Sequence, residues 1–252
     1  MRNIKRHIIN WIKKYANEYN KVLVIGVSGG IDSAVTSTLC AETKLKTIVV
    51  SMPIHQNNEE LVLAQKHIKW LKNNYKNVES IEMDLSIVFD QFKKTMGQEF
   101  QDKLALANTR ARIRMTTLYQ IAGCKNGLVI GTGNKIEDFC IGFYTKYGDG
   151  GVDLSPIGDL MKSEVFNLAK ELKIINDIQK AKPTDGLWED SRNDEDQIGA
   201  TYQEIEEAIK NLNSKKTNLS DREKEVIQIY LNFNKINQHK MKPIPVCIIS
   251  KS

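Results

Sequence analysis

Lys21–Ser33, KVLVIGVSGGIDS, decides how the rest of the chain is read. Val22-Leu23-Val24-Ile25 is a short apolar run of the kind that forms a buried parallel strand. Gly26-Val27-Ser28-Gly29-Gly30 breaks it, and Ile31-Asp32-Ser33 opens a helical stretch that continues to Cys40. Strand, glycine turn and helix start together make an anion site. The glycines let backbone N–H groups approach an oxyanion, and the helix N-terminus adds the positive end of its dipole. Ser28 and Ser33 supply hydroxyl donors. Asp32 by itself would repel a phosphate; a bridging Mg²⁺ removes that conflict.

The spacing is neither GxxxxGK[ST] nor GxGxxG. It resembles the SGGxDS pyrophosphate loop of the N-type ATP pyrophosphatases, which split ATP between its α- and β-phosphates. Around it, Lys46–Met52, Val78–Asp84 and Gly127–Gly131 read as further strands, alternating with helices over 57–75, 86–96 and 100–122. That alternation predicts an α/β fold with a parallel sheet covered on both faces, whose ligands sit at the carboxyl ends of the strands. Ile4, Ile8, Trp11, Ile12, Tyr15 and Tyr19 recur at helical spacing ahead of the first strand. After the fourth strand the texture changes to a glycine-rich loop over 141–155, and long ordered loops are commonly functional. Helices follow over 161–172, 202–212 and 220–234, the last with Ser220 and Glu223 at capping-box spacing. The polar, acidic stretch 184–196 reads as a lid, and QHKMKPIPVCIIS reads as too proline-broken for a helix.

Composition narrows the function classes. The 252 residues, 41% hydrophobic and 27% charged, can bury a substantial core. The net charge of +5 is dispersed among mixed-sign helices, which suits an anionic small molecule and argues against nucleic acid as a partner. No apolar run is long enough to span a membrane, and the basic N-terminus lacks a signal-peptide core, so the expected location is cytoplasmic. Cys40, Cys124, Cys140 and Cys247 have no CxxC spacing and read as reduced, buried thiols rather than a zinc or redox site.

Several residues outside the loop carry chemistry. Glu137, just beyond a strand end, could pair with Asp32 to hold Mg²⁺ through hard oxygen ligands; Asp138 beside it is an alternative. Arg110, Arg112 and Arg114 alternate on one helix and cannot all face one way. Lys146, Asp149 and Asp153 place a cation and carboxylates on the glycine-rich loop. Lys162 opens a helix, where its charge opposes the dipole, a local misfit that hints at phosphate.

Read together, GVSGGIDS, NTRARIRM, VIGTGNKIED, GFYTKYGDGGVDLSPIGDLMKSEV, KPTDGLW, DEDQIGATY and the terminal HK resemble the NAD⁺ synthetases in content and order, over nearly the whole chain. TKYGDGGVD is the most family-specific of these, and Glu137 to Lys146 spans one residue more than in many members. The resemblance implies a doubly wound, mostly parallel five-stranded sheet of the adenine nucleotide α-hydrolase type, as a single domain over 1–252 with a C-terminal helical extension. It implies an ammonia-dependent ligase, because glutamine users carry an extra amidase domain for which this chain leaves no room.

Carried over motif by motif, Gly26, Val27, Ser28, Gly29, Gly30, Ile31, Asp32 and Ser33 would bind ATP with Thr132, Lys162 and Thr184. Asp32 and Glu137 would hold Mg²⁺. Arg112, Lys146, Asp153, His239 and Lys240 would bind deamido-NAD⁺, in a homodimer whose site is shared between subunits. The implied chemistry is adenylation of the nicotinate carboxylate with release of pyrophosphate, then attack by ammonia and release of AMP. Lys162 would stabilise the leaving group, and Asp153 or Asp149 would take a proton from ammonium. Two rivals explain less. A tRNA-modifying or GMP synthetase-like pyrophosphatase leaves TKYGDGGVD unaccounted for, and a nucleotide-sensing protein has no use for a carboxylate pair that handles magnesium.

Overall fold

The computed structural model describes residues 1–56, 58–181 and 193–249. Four strands, β1 (Val22–Gly26), β2 (Thr47–Ser51), β3 (Val78–Glu82) and β4 (Gly127–Ile130), form one sheet in the order β3-β2-β1-β4, every pair parallel. Side chains alternate across it as the two-residue period demands. Leu23, Ile25, Val49 and Ile130 enter one core, with helices α1 (Arg2–Glu18), α2 (Ile31–Glu42), α3 (Asn58–Asn74) and α6 (Lys162–Glu171). Val24, Ile48, Val50 and Val129 enter the other, under α4 (Ser86–Met96) and α5 (Lys103–Lys125). Each fully buried side chain of this kind contributes roughly 1.5–3 kcal/mol, so the α/β reading rests on both faces being covered.

The sheet has four strands among the described residues, not the expected five. Where a fifth would lie beyond β4, the chain makes one isolated parallel bridge, Ile130 to Leu154. Gly131 N donates to Leu154 O (2.7 Å) and Asp153 N to Val129 O (2.9 Å). Val129 N donates instead to the Asp153 carboxylate (2.7 Å), so a side chain replaces the carbonyl that a continuing ladder would provide.

Beyond the sheet, α7 (Asn176–Lys180) and α8 (Asp194–Ile198) are short, and α9 (Tyr202–Asn213) and α10 (Asp221–Met241) form the helical extension. Capping boxes open both long helices, Thr201 with Glu204 and Ser220 with Glu223. A third core cluster joins α9 and α10 to the segment 136–141. The last helix runs to Met241, past the expected stop near 234. Asn234 and Asn237 tie it to the carbonyls of Cys140 and Ile141 (both 2.8 Å), and it ends at Lys242, which Pro243 forces into extended backbone. His239 and Lys240 therefore sit on the final helical turn. Of the stretch 184–196, residues 184–192, including Thr184, lie outside the described residues, and Asp194–Asp196 open α8. Among the described residues no helix is long and apolar enough to cross a membrane. Cys40 and Cys140 are buried, whereas Cys124 and Cys247 are exposed, because the end of α5 and the chain beyond α10 are left uncovered.

One buried polar contact makes stability pH-dependent. His67 of α3 is fully buried against Trp70, with Nε2 3.0 Å from Ser37 Oγ. Burial pushes its imidazole pKa down to about 4. The folded protein then binds fewer protons than the unfolded chain below pH 6.5, so stability is full above that pH and falls until pH reaches about 4. The loss is on the order of 3 kcal/mol. Urea unfolding of the wild type and of His67→Leu at pH 7, 5.5 and 4 measures it: the wild-type curve is expected to fall more steeply, and parallel curves would reject the assignment.

Candidate active site

The carboxyl ends of β1 and β4 open into a cavity of about 480 Å³ lined by Gly26, Ser28, Gly30, Asp32, Ser33, Thr132, Glu137 and Lys162 among others. The loop between β1 and α2 is built by its own polar side chains. Ser33 Oγ donates to Gly30 O (2.9 Å), Gly30 N donates to Ser28 Oγ (3.2 Å), and the two hydroxyls lie 3.2 Å apart. Gly30 is the N-cap of α2 and offers no side-chain cap, so the first-turn N–H groups of the helix remain available to an anion in the cavity. Gly29 does not line the cavity. It has φ +96°, and a Cβ there would lie 2.7 Å from Glu60 O, so its role is to fold the loop against α3.

Asp32, Glu137 and Lys162 meet at the cavity floor. Lys162 Nζ is 2.6 Å from Asp32 Oδ2 and 2.9 Å from Glu137 Oε1, and only 3% of its side chain is exposed. Burial opposes its charge, but the two carboxylates outweigh burial and hold its pKa above the usual lysine range. This accounts for the unfavourable lysine at the start of α6. At Asp32 burial wins and the pKa is raised. At Glu137 burial pulls the same way, but Lys162, Tyr202 and Asn134 together bring the pKa below its ordinary value. Asn134 Nδ2 donates to Asp32 Oδ1 (3.1 Å), while its Oδ1 accepts from Glu137 N (3.2 Å). Residues Lys135–Ile141 form a single-turn π-helix. Asp138 faces Gly133 instead, where any Cβ would collide with its carboxylate, so Glu137 and not Asp138 shares Lys162 with Asp32.

The other expected residues divide. Asp149 and Lys240 line the cavity with Arg114 and Asp194. Asp149 is open to the cavity yet ringed by protein. That burial, with Glu137 nearby, raises its pKa to about 6 against the donation from Thr145 N (3.0 Å). Lys240 Nζ donates to Tyr144 O (2.8 Å) and sits over the Tyr144 ring, with its pKa lowered by burial. Arg112, Lys146 and His239 are outside the cavity walls but together: Arg112 Nε donates to Lys146 O (3.2 Å) and Lys146 Nζ to His239 O (2.9 Å). Asp153 also lies outside, because its carboxylate is held by Val129 N and Tyr119 OH (3.0 Å) at the sheet edge. Of the three arginines it is Arg114 that reaches the cavity, with Nε donating to Met52 O (3.0 Å), while Arg110 packs on the Phe89 ring.

Sequence reasoning missed Asn134, Asp194 and Tyr202, and of the three arginines it carried Arg112 rather than Arg114 into the site. Asn134 was legible as an N-cap three residues before Glu137; the others needed the packing of distant helices. Among the described residues the carboxylates Asp32, Glu137, Asp138, Asp149 and Asp194 share the cavity with the cations Lys162, Arg114 and Lys240. An anionic ligand there meets carboxylates as well as cations, a repulsion that a bound cation would offset. Among the described residues no cluster of three or more His, Cys, Asp or Glu side chains is set to hold a metal. Two carboxylates completed by phosphate and water oxygens match what Mg²⁺ requires.

Comparison with known proteins agrees with this geometry. The NAD synthase family model matches residues 4–244. An NH(3)-dependent NAD(+) synthetase of Mycoplasmopsis pulmonis is 38% identical over 206 residues, covering 79% of this chain and 76% of its own. The structure of NMN synthetase from Francisella tularensis superposes with a TM-score of 0.88 at 30% identity, covering 98% of both chains. The NH3-dependent NAD synthetase from Campylobacter jejuni superposes with a TM-score of 0.79 at 29% identity, over 98% of this chain and 99% of its own. The strand-loop-helix anion site, the paired carboxylates and the match along nearly all of the sequence lead to one conclusion: this chain belongs to the NAD synthase family.

Proposed function

We propose that this chain catalyses the ATP-dependent amidation of deamido-NAD⁺ with ammonia, forming NAD⁺, AMP and pyrophosphate. The observation that carries the reading is the junction of an uncapped helix N-terminus with a buried Asp32–Lys162–Glu137 cluster in one cavity. Ser28, Gly30 and the first turn of α2 through Ser33 bind the β- and γ-phosphates, and Thr132 adds a hydroxyl just past the end of β4. Asp32 and Glu137 would hold Mg²⁺, whose charge would offset the negative charge of the pyrophosphate leaving group. Lys162, kept charged by its partners, stabilises the same leaving group. The nicotinate carboxylate attacks the α-phosphorus and gives a mixed acyl-adenylate. Ammonia then attacks the acyl carbon and expels AMP. Asp149, with its pKa near 6, is deprotonated at neutral pH and takes the proton released by the attacking nitrogen. Asp153 positions the glycine-rich loop from the sheet edge.

Lys240 meets the substrate within the cavity, and the exposed Arg112–Lys146–His239 group meets the far phosphate of the dinucleotide. We assign a homodimer. Ile87, Val88, Phe92 and Met96 of α4 are exposed, with Phe100 and Leu104 following them in the chain, apolar side chains that a second copy would cover. The cytoplasm, where ATP is at hand, is the expected location.

Mass spectrometry of a reaction holding ATP, Mg²⁺, deamido-NAD⁺ and ammonium tests the reading, with glutamine replacing ammonium in a second arm. NAD⁺ and AMP are expected with ammonium only; ADP in place of AMP, or no turnover, rejects it. One observation favours a second reading: the TM-score of 0.88 is to an NMN synthetase. A third arm supplying nicotinate mononucleotide decides it, since faster amidation of the mononucleotide would move the assignment there. Sedimentation equilibrium on the same preparation reads the oligomer, and a monomer at micromolar concentration rejects the dimer.

A further inference from the structure

Tyr202, the first residue of α9, belongs to no part of the reaction as described, yet it closes the cavity-floor cluster. It is buried, and its hydroxyl lies 2.6 Å from Glu137 Oε1 and 3.1 Å from Asp194 Oδ2. Its ring lies under Lys162, with Nζ 4.5 Å from the ring centroid. The placement is fixed from the backbone: Thr201 caps α9, and Tyr202 N donates to Glu195 Oε1 (3.0 Å).

Counting hydrogens at Glu137 gives the consequence. Lys162 and Tyr202 both bond Oε1, so Oε2 carries neither the ammonium nor the phenol. A carboxylate anchored through one oxygen by two donors cannot spin about its Cγ–Cδ bond without breaking both. The phenol has one hydrogen and two acceptors, Glu137 and Asp194. It is thus able to leave Glu137 for Asp194 without becoming unpaired.

We infer that Tyr202 is a positioning residue for the metal site: it anchors Glu137 through Oε1 so that Oε2 is presented to the magnesium that accompanies ATP, with Asp194 as the phenol's second acceptor. The inference rests on the functional reading above. Outer partners of metal-ligating carboxylates set affinity, and their loss typically costs 10- to 100-fold. Tyr202→Phe keeps the ring and its contact with Lys162 and removes only the hydroxyl.

Calorimetric titration is the test, with MnATP and, separately, with ATP in EDTA, into the wild type and Tyr202→Phe. Tyr202→Phe is expected to bind MnATP about tenfold more weakly while its affinity for metal-free ATP is unchanged. Equal MnATP affinity in wild type and Tyr202→Phe, where the wild type gains from the metal, overturns this inference and leaves the proposed function standing. An equal loss for MnATP and metal-free ATP overturns it in favour of a packing role. A wild type that gains nothing from Mn²⁺ overturns both the inference and the magnesium site.

Discussion

Lys162→Met is expected to lower turnover by about a hundred- to a thousand-fold, the range seen when one preorganised donor to a developing negative charge is removed. The same change leaves Asp32 and Glu137 facing each other with no cation between them. Removing one partner of a buried ion pair costs about 3–5 kcal/mol, and the low end applies because both carboxylates line the open cavity. Methionine fits the space and supplies no charge. Mg²⁺ should therefore raise the unfolding temperature of the variant more than that of the wild type, since it provides the positive charge that the lysine no longer does. Single-turnover kinetics with thermal unfolding at zero and 10 mM Mg²⁺, the latter about an ordinary assay concentration, read both effects. Near-wild-type turnover would remove Lys162 from the chemistry. An unfolding temperature insensitive to the substitution would show that the lysine contributes no net stability.

Gly29→Ala should damage the phosphate loop without touching any group that contacts phosphate. Alanine at φ +96° pays a left-handed backbone penalty of roughly 1–2 kcal/mol. Its Cβ would also meet Glu60 O at 2.7 Å and Ala64 N at 3.0 Å, main-chain atoms of α3 that cannot rotate away. Relief comes from pushing the loop off α3, which adds about 1–3 kcal/mol and moves the donors of Ser28 and Gly30. The expected result is an unfolding temperature lower by about 10 °C. The KM for ATP should rise on the order of tenfold, the cost of misplacing one phosphate contact by about 1.4 kcal/mol. Gly97, at φ +80° with open space around it, is the control: Gly97→Ala carries the backbone cost alone and should leave the KM unchanged. A normal KM in Gly29→Ala would mean that the loop's position does not set ATP affinity.

The sequence by itself determined the α/β class, the four strands and their helices, and the glycine loop after β1 that opens on the cavity. Those features are written in short-range periodicity, glycine placement and capping residues, which act within a few residues of one another. It also reached Asp32, Glu137 and Lys162, because each stands at a strand end or a helix start, where its charge is locally conspicuous. What it could not reach was decided by packing over long separations. Lys162 finds Asp32 130 residues away, and Tyr202 finds Glu137 65 residues away, distances at which no periodicity carries information. Arg114 rather than Arg112 enters the cavity because the rotation of α5 is set by the sheet beneath it, not by the alternation of arginines. Asp153 reads as a cavity carboxylate until the fold gives it Val129 N and Tyr119 as partners. That the described residues form no fifth strand has the same cause: a side chain, and not the backbone, satisfies the edge of β4, and only the tertiary structure brings that side chain there.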